Sequence, residues 1–159
     1  MMVRWYRLPK SQLTRLIGFN FEGLDMSCLI AGVVIEPKRL DMMPKYFGRW
    51  MMQTEKNIYG WLSRICTAYQ GGYWDMWEVS NDAFFMVPPA MDEGYRLSID
   101  SNGFEGVLSA HAAGVVVCLF AYCHVWEITG DDRFAKLYHA LREYALTLDE
   151  YSLIFQAID

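Results

Sequence analysis

Apolar positions along this chain change their spacing several times, and each change marks an element. Over residues 49–69, Trp50, Thr54, Ile58, Trp61, Leu62, Ile65, Cys66 and Tyr69 recur at steps of three and four. That is the spacing of one buried helical face. Gly71-Gly72 is the expected end of this helix, because glycine takes the left-handed backbone of a C-terminal cap. The period then falls to two. Residues 73–80, 83–87 and 95–100 alternate as strands do, with Asn81-Asp82 suited to a hairpin link and Asn102-Gly103 marking a turn. Pro88-Pro89 stops the second strand. The three strands predict an antiparallel meander, and Gly103-Phe104-Glu105-Gly106 reads only as a turn.

The remainder is helical. Ser109 is placed to cap a helix running to about Ile128, apolar almost all round and therefore central, with Gly130 as its C-terminal cap. Asp131 or Asp132 starts the next helix, whose buried face reads Phe134, Leu137, Tyr138, Leu141, Tyr144, Ala145 and Leu148. A last short helix carries Leu153, Ile154, Ala157 and Ile158. Residues 28–35 suit an extended segment, followed by a short stretch between Pro37 and Pro44. Residues 1–27 have mixed periodicity, with a helical hint from Ser11 to Ile17, and read as an N-terminal extension. Strands in the middle with helices around them predict an α+β fold rather than βαβ units. The expectation is a small three-stranded antiparallel sheet packed with about four helices, one compact domain over 28–159, with the long apolar helix covering the sheet.

Composition narrows the class. The chain has 159 residues, 53% apolar and 16% aromatic, which suits one folded domain and argues against disorder. The longest apolar runs, 28–35 and 112–123, fall short of the ~18–20 residues of a membrane span. No continuous apolar segment follows the basic start, so a cytoplasmic protein is expected. The net charge is −5, unevenly spread. Residues 1–64 hold ten Lys/Arg and five Asp/Glu, whereas residues 65–159 hold four and fourteen. An acidic body repels phosphate, so strong nucleic-acid binding is not expected. Nor does the acid density approach the one charge per ~1.7 Å of B-DNA, so DNA imitation is not expected either. Cys28, Cys66, Cys118 and Cys123 lack metal-ligand spacing and read as small buried apolar residues.

Signatures of catalysis are missing: no GxSxG elbow, Walker A loop, GxGxxG or HExxH occurs. His111, His124 and His139 would form a site only if two helices brought them together. The strand region concentrates acids, among them Asp75, Glu78, Asp82, Asp92 and Glu93, against one base, Arg96. They read as a solvated face, as an acidic surface that contacts a protein, or as the Mg²⁺ site of a small nucleic-acid enzyme lacking a basic groove. The aromatic group Tyr73, Trp74, Trp77, Phe84 and Phe85 is expected mainly in the core, with any exposed member an interface anchor.

The separated motifs Tyr59-Gly60-Trp61-Leu62-Ser63-Arg64-Ile65-Cys66, Gly71-Gly72-Tyr73-Trp74 and Ser80-Asn81-Asp82-Ala83-Phe84-Phe85-Met86-Val87-Pro88, in this order, resemble the ArdB/KlcA antirestriction family. Phe47-Gly48-Arg49, Leu108-Ser109-Ala110, Leu141-Arg142-Glu143-Tyr144-Ala145 and Ile154-Phe155-Gln156-Ala157-Ile158-Asp159 extend the likeness over roughly 30–159. Two positions depart from the usual pattern. The family resembled has Ser-Asn-Gly-Gly-Phe at the hairpin, against Asn81-Asp82-Ala83 here, and Asp where this chain has His111. The resemblance implies a protein of plasmids and other mobile elements that protects incoming DNA from host type I restriction–modification enzymes. It implies no enzymatic activity, no cofactor and no catalytic residues. The expected partner is the type I complex or an accessory host protein, contacted through Asp75, Glu78, Asp82, Asp92 and Glu93.

Overall fold

The computed structural model describes residues 29–159. Over them the chain runs β1 (Ala31–Val33), α1 (Arg39–Phe47), a 3-10 turn (Gly48–Trp50) and α2 (Met51–Ile65). It continues through β2 (Asp75–Val79), β3 (Phe84–Val87), β4 (Tyr95–Ile99) and β5 (Phe104–Leu108). Three helices close it: α3 (Ala110–Thr129), α4 (Asp132–Ala145) and α5 (Tyr151–Ile158). The α+β class holds. The extension over 1–27 and Cys28 lie outside the described residues.

Local sequence sets the helix ends. The Ser109 hydroxyl accepts a hydrogen bond from the Ala112 amide at 3.1 Å, and Gly130 closes α3 in the left-handed region at φ 65°. Asp131 caps α4 by accepting from the Arg133 amide. One end differs from expectation. α2 stops at Cys66, whose backbone turns extended, so Gly71 and Gly72 shape the following loop instead of capping the helix. α2 buries Thr54, Ile58, Trp61, Leu62 and Ile65, as its spacing predicts. α3 is buried from Ala112 through Cys123. At 20 residues it is long and apolar enough to cross a membrane, a length the 112–123 run understates, but 72% of its apolar window is buried inside this domain.

The sheet corrects the predicted meander. β1, β2 and β3 form one antiparallel sheet in that order, with Val33 opposite Trp77 and Trp77 opposite Phe85. β4 pairs instead with β5, Tyr95 opposite Leu108 and Ile99 opposite Phe104, so residues 104–108 are a strand and not a turn. The cause lies at the outer edge of β3. Gly114, Cys118 and Tyr122 stand at steps of four on α3, one stripe along the helix. The buried Tyr122 hydroxyl donates to the Phe84 carbonyl at 2.6 Å, and burial holds its phenol pKa well above the ordinary value, in the donor form. The Met86 amide meets the Cys118 sulfur at 3.4 Å. Gly114 lets the two backbones touch: a Cβ there would lie 2.4 Å from the Met86 oxygen. With its edge taken by a helix and Pro88-Pro89 turning the chain away, β3 has no place for β4.

Each hairpin is fastened by an asparagine. Asn81 accepts from the Ala83 amide at 3.2 Å and donates to the Ala140 carbonyl of α4 at 2.9 Å. Asn102 accepts from the Phe104 amide at 3.0 Å and donates to the Ala157 carbonyl of α5 at 2.9 Å. The same residue type thus shapes a turn and ties it to a helix. Trp74, Phe84 and Phe85 are buried, whereas Tyr73 is exposed. Cys66, Cys118 and Cys123 are buried thiols.

Gly114→Ala is expected to destabilise the fold by about 1–3 kcal/mol, the cost of forcing a methyl against backbone that cannot yield. Urea denaturation measures it, and an unchanged midpoint would contradict the close approach of α3 to β3.

Candidate functional site

The five acids singled out from sequence occupy four places. Asp75 opens β2 and is exposed. Asp82 is exposed at the tip of the β2–β3 hairpin, beyond the other end of the strand. The strand alone separates them by roughly 13 Å, at about 3.3 Å per residue. Asp92 and Glu93 are exposed in the turn before β4, where the Gly94 amide donates to the Met91 carbonyl at 3.0 Å. Asp75, Asp82, Asp92 and Glu93 make no ion pair among the described residues.

Glu78 differs from the other four. Lys38 donates to its Oε2, while Lys45 and the Tyr46 hydroxyl each donate to its Oε1 at 2.7 Å. Burial on its own would raise the Glu78 pKa. The three donors outweigh it and hold the carboxyl at about 2. Tyr46 also stacks on Phe84 at 4.6 Å, and Arg39 donates to the Trp74 carbonyl at 2.8 Å. Glu78 is therefore a clamp holding α1 on the sheet, with its charge already compensated.

The hairpin tip carries a backbone tension. Asp82 has φ 64°, the region that favours glycine, and it is the one non-glycine residue with positive φ among those described. The Asn81 side chain holds the turn in this shape. A glycine at this position, as in the pattern the sequence resembles, would take the same conformation without a Cβ penalty.

The histidines do not converge. His111 and His124 are 13 residues apart on α3, about 20 Å at ~1.5 Å per residue. His111 bonds the Tyr144 hydroxyl at 2.9 Å and meets Trp77 and Phe85 edge-on, and burial lowers its pKa against the attraction of Glu150. His139 lines a small cavity together with Tyr122, Cys123 and Trp126, and burial lowers its pKa to about 4. Among the described residues, no group of three or more His, Cys, Asp or Glu side chains is placed to hold a metal ion.

Because the folded-state pKa of Glu78 is depressed, its stabilising effect is complete above its ordinary value of 4.5 and is lost as pH falls toward about 2. Glu78→Gln is expected to lower stability near neutral pH and to flatten the pH–stability curve between those limits. Urea denaturation across that range measures it, and an unchanged slope would contradict the clamp.

A family profile described as antirestriction protein matches residues 67–159, more than half of the chain. An Escherichia coli protein named antirestriction protein KlcA is 42% identical over 134 residues, covering 81% of this chain and 94% of that one. A second E. coli KlcA is 40% identical over 140 residues, covering 84% and 95%. The fold also matches a solved structure with a TM-score of 0.77 and 37% identity, over 89% of this chain and 100% of that one. That structure is described as showing that KlcA and ArdB have a novel fold and antirestriction activity against type I DNA restriction systems in vivo but not in vitro. Sequence, extent and fold agree with the motifs quoted above, and this chain belongs to the antirestriction protein family that includes KlcA and ArdB.

Proposed function

We propose that this protein relieves restriction by host type I restriction–modification systems and so protects incoming plasmid or mobile-element DNA. The observation that carries the reading is 42% identity to a KlcA over 94% of its length. The protein works in the cytoplasm by contact with protein, without catalysis and without imitating DNA. Its charge supports the last point, since the acids fall well short of the charge density of B-DNA and one of them, Glu78, is compensated internally. The partner is the type I complex itself or an accessory host protein. The activity described for KlcA and ArdB, present in vivo but not in vitro, favours a route that needs a further cellular component.

The contact surface of this reading is formed by four of the five acids, Asp75, Asp82, Asp92 and Glu93, which have no ion pair among the described residues, with Glu78 holding α1 on the sheet. Exposed carboxylates on an ordered backbone lose little entropy when they meet a basic partner.

The test is the plating efficiency of modified and unmodified phage on a host with an active type I system. Expression of the protein is expected to raise plating of the unmodified phage alone, and failure of the folded protein to do so would overturn the reading. Asp82→Gly removes a charge while relieving backbone tension, so it should melt no lower than the parent. Combined with Asp75→Lys, Asp92→Lys and Glu93→Lys, it is expected to reduce protection at least about tenfold, the scale of lost rim charges acting together. Undiminished protection would exclude this surface.

A further inference from the structure

α2 turns five side chains inward, and its outer side carries a second pattern. Met52, Lys56, Gly60 and Arg64 follow one another at steps of four, forming one line along the helix. Between this line and His124 of α3 lies an open groove of about 620 Å³. Gly60 interrupts the line at mid-helix. A Cβ there would meet nothing within 4 Å, and the backbone is ordinary helix. Neither packing nor a turn calls for glycine at this position, where it weakens the helix. What it provides is a notch in the groove.

The groove is positive on a negative molecule. Among the described residues no Asp or Glu lines it, and neither Lys56 nor Arg64 has a carboxylate partner. The chain as a whole carries −5. Such a patch selects an anion locally while the rest of the surface opposes an extended polyanion.

The aromatic floor decides which anion. Trp61 is only 8% exposed. One side of its ring carries the Arg64 guanidinium, 4.8 Å from the centroid, and it stacks with Phe120 at 4.7 Å. With both contacts made, the Trp61 indole is not free to stack on a nucleic-acid base, the contact that single-strand binders rely on. Met52, 67% exposed, offers apolar contact instead. Arg64 can take a carboxylate by its fork of donors, and Lys56 can take another as a point charge.

We propose that this groove seats an acidic segment of a protein partner. One apolar side chain of that segment enters the notch at Gly60 against Met52, and flanking carboxylates meet Lys56 and Arg64. The antirestriction reading bears on who the partner is; the chemistry of the groove stands without it.

The probe is a short fluorescein-labelled peptide of leucines among glutamates, followed by fluorescence anisotropy at low salt. Comparison probes are the same peptide with glutamine for glutamate and an oligothymidylate of equal charge. The acidic peptide is expected to bind at least about tenfold more tightly than either, as complementary charge implies. Lys56→Glu with Arg64→Glu is expected to abolish the preference. Gly60→Leu leaves both charges and strengthens the helix, so it should fold and melt no lower, yet lose binding because the notch is filled. No binding of the acidic peptide, equal binding by all variants, or tighter binding of the oligothymidylate would each overturn the proposal. The same variants, shown folded by circular dichroism, are expected to lose protection in the phage assay, and full protection would remove the groove from the partner interface. If the parent protein itself gives no protection, the antirestriction reading fails while the anisotropy result still decides the groove.

Discussion

The closing of the outer edge of β3 by α3 is the constraint on which the rest of the structure depends. An edge strand leaves a row of unpaired amides and carbonyls, and this protein covers them with a helix instead of another strand. The helix can serve only because Gly114 admits the Met86 carbonyl, Cys118 faces the Met86 amide and Tyr122 donates to Phe84. Those contacts force α3 to be apolar all round, since its other sides meet α2, α4 and α5. They also exclude β4 from the sheet, so the second hairpin is built apart and fastened through Asn102 to α5.

That frame leaves the surface charges in separate functional places. Glu78 is spent on holding α1, so its neighbours Lys38 and Lys45 are compensated as well. Asp82 has no ion pair among the described residues, at a tip that Asn81 fixes to α4. Lys56 and Arg64, on the outer side of α2, have no carboxylate partner among the described residues. A protein with net charge −5 can therefore present a negative hairpin and a positive groove at once. Both features suit recognition of protein surfaces, where charge sets orientation and selects partners.

Much of this frame was legible in the sequence. Helices α2, α4 and α5 follow from their helical stripes, and α3 from its Ser109 and Gly130 caps, because stripes and capping residues are local signals. The existence of three strands was legible for the same reason, and the ordered motifs pointed to the family. The pairing of the strands was not. Alternation tells which face a residue occupies but not which strand lies beside it. β5 was hidden by Glu105 and Gly106, yet Gly106 is there because the Phe104 ring lies over it, 2.6 Å from where a Cβ would stand. The stripe Gly114–Cys118–Tyr122 was hidden by its surroundings, since nothing distinguishes one apolar line on an apolar helix. The role of Glu78 depends on lysines 40 and 33 residues away, contacts that leave no local trace. The acids could be found by composition, but their division into one clamp and four free groups required the fold.

Native-state hydrogen exchange tests the central constraint most directly. The Met86 amide points at Cys118 and away from β2, so only α3 protects it. The account expects Met86 to exchange together with the middle of α3, through the global unfolding reaction, and Gly114→Ala to accelerate both equally. Exchange of Met86 on the timescale of an exposed loop, while α3 remains protected, would contradict it.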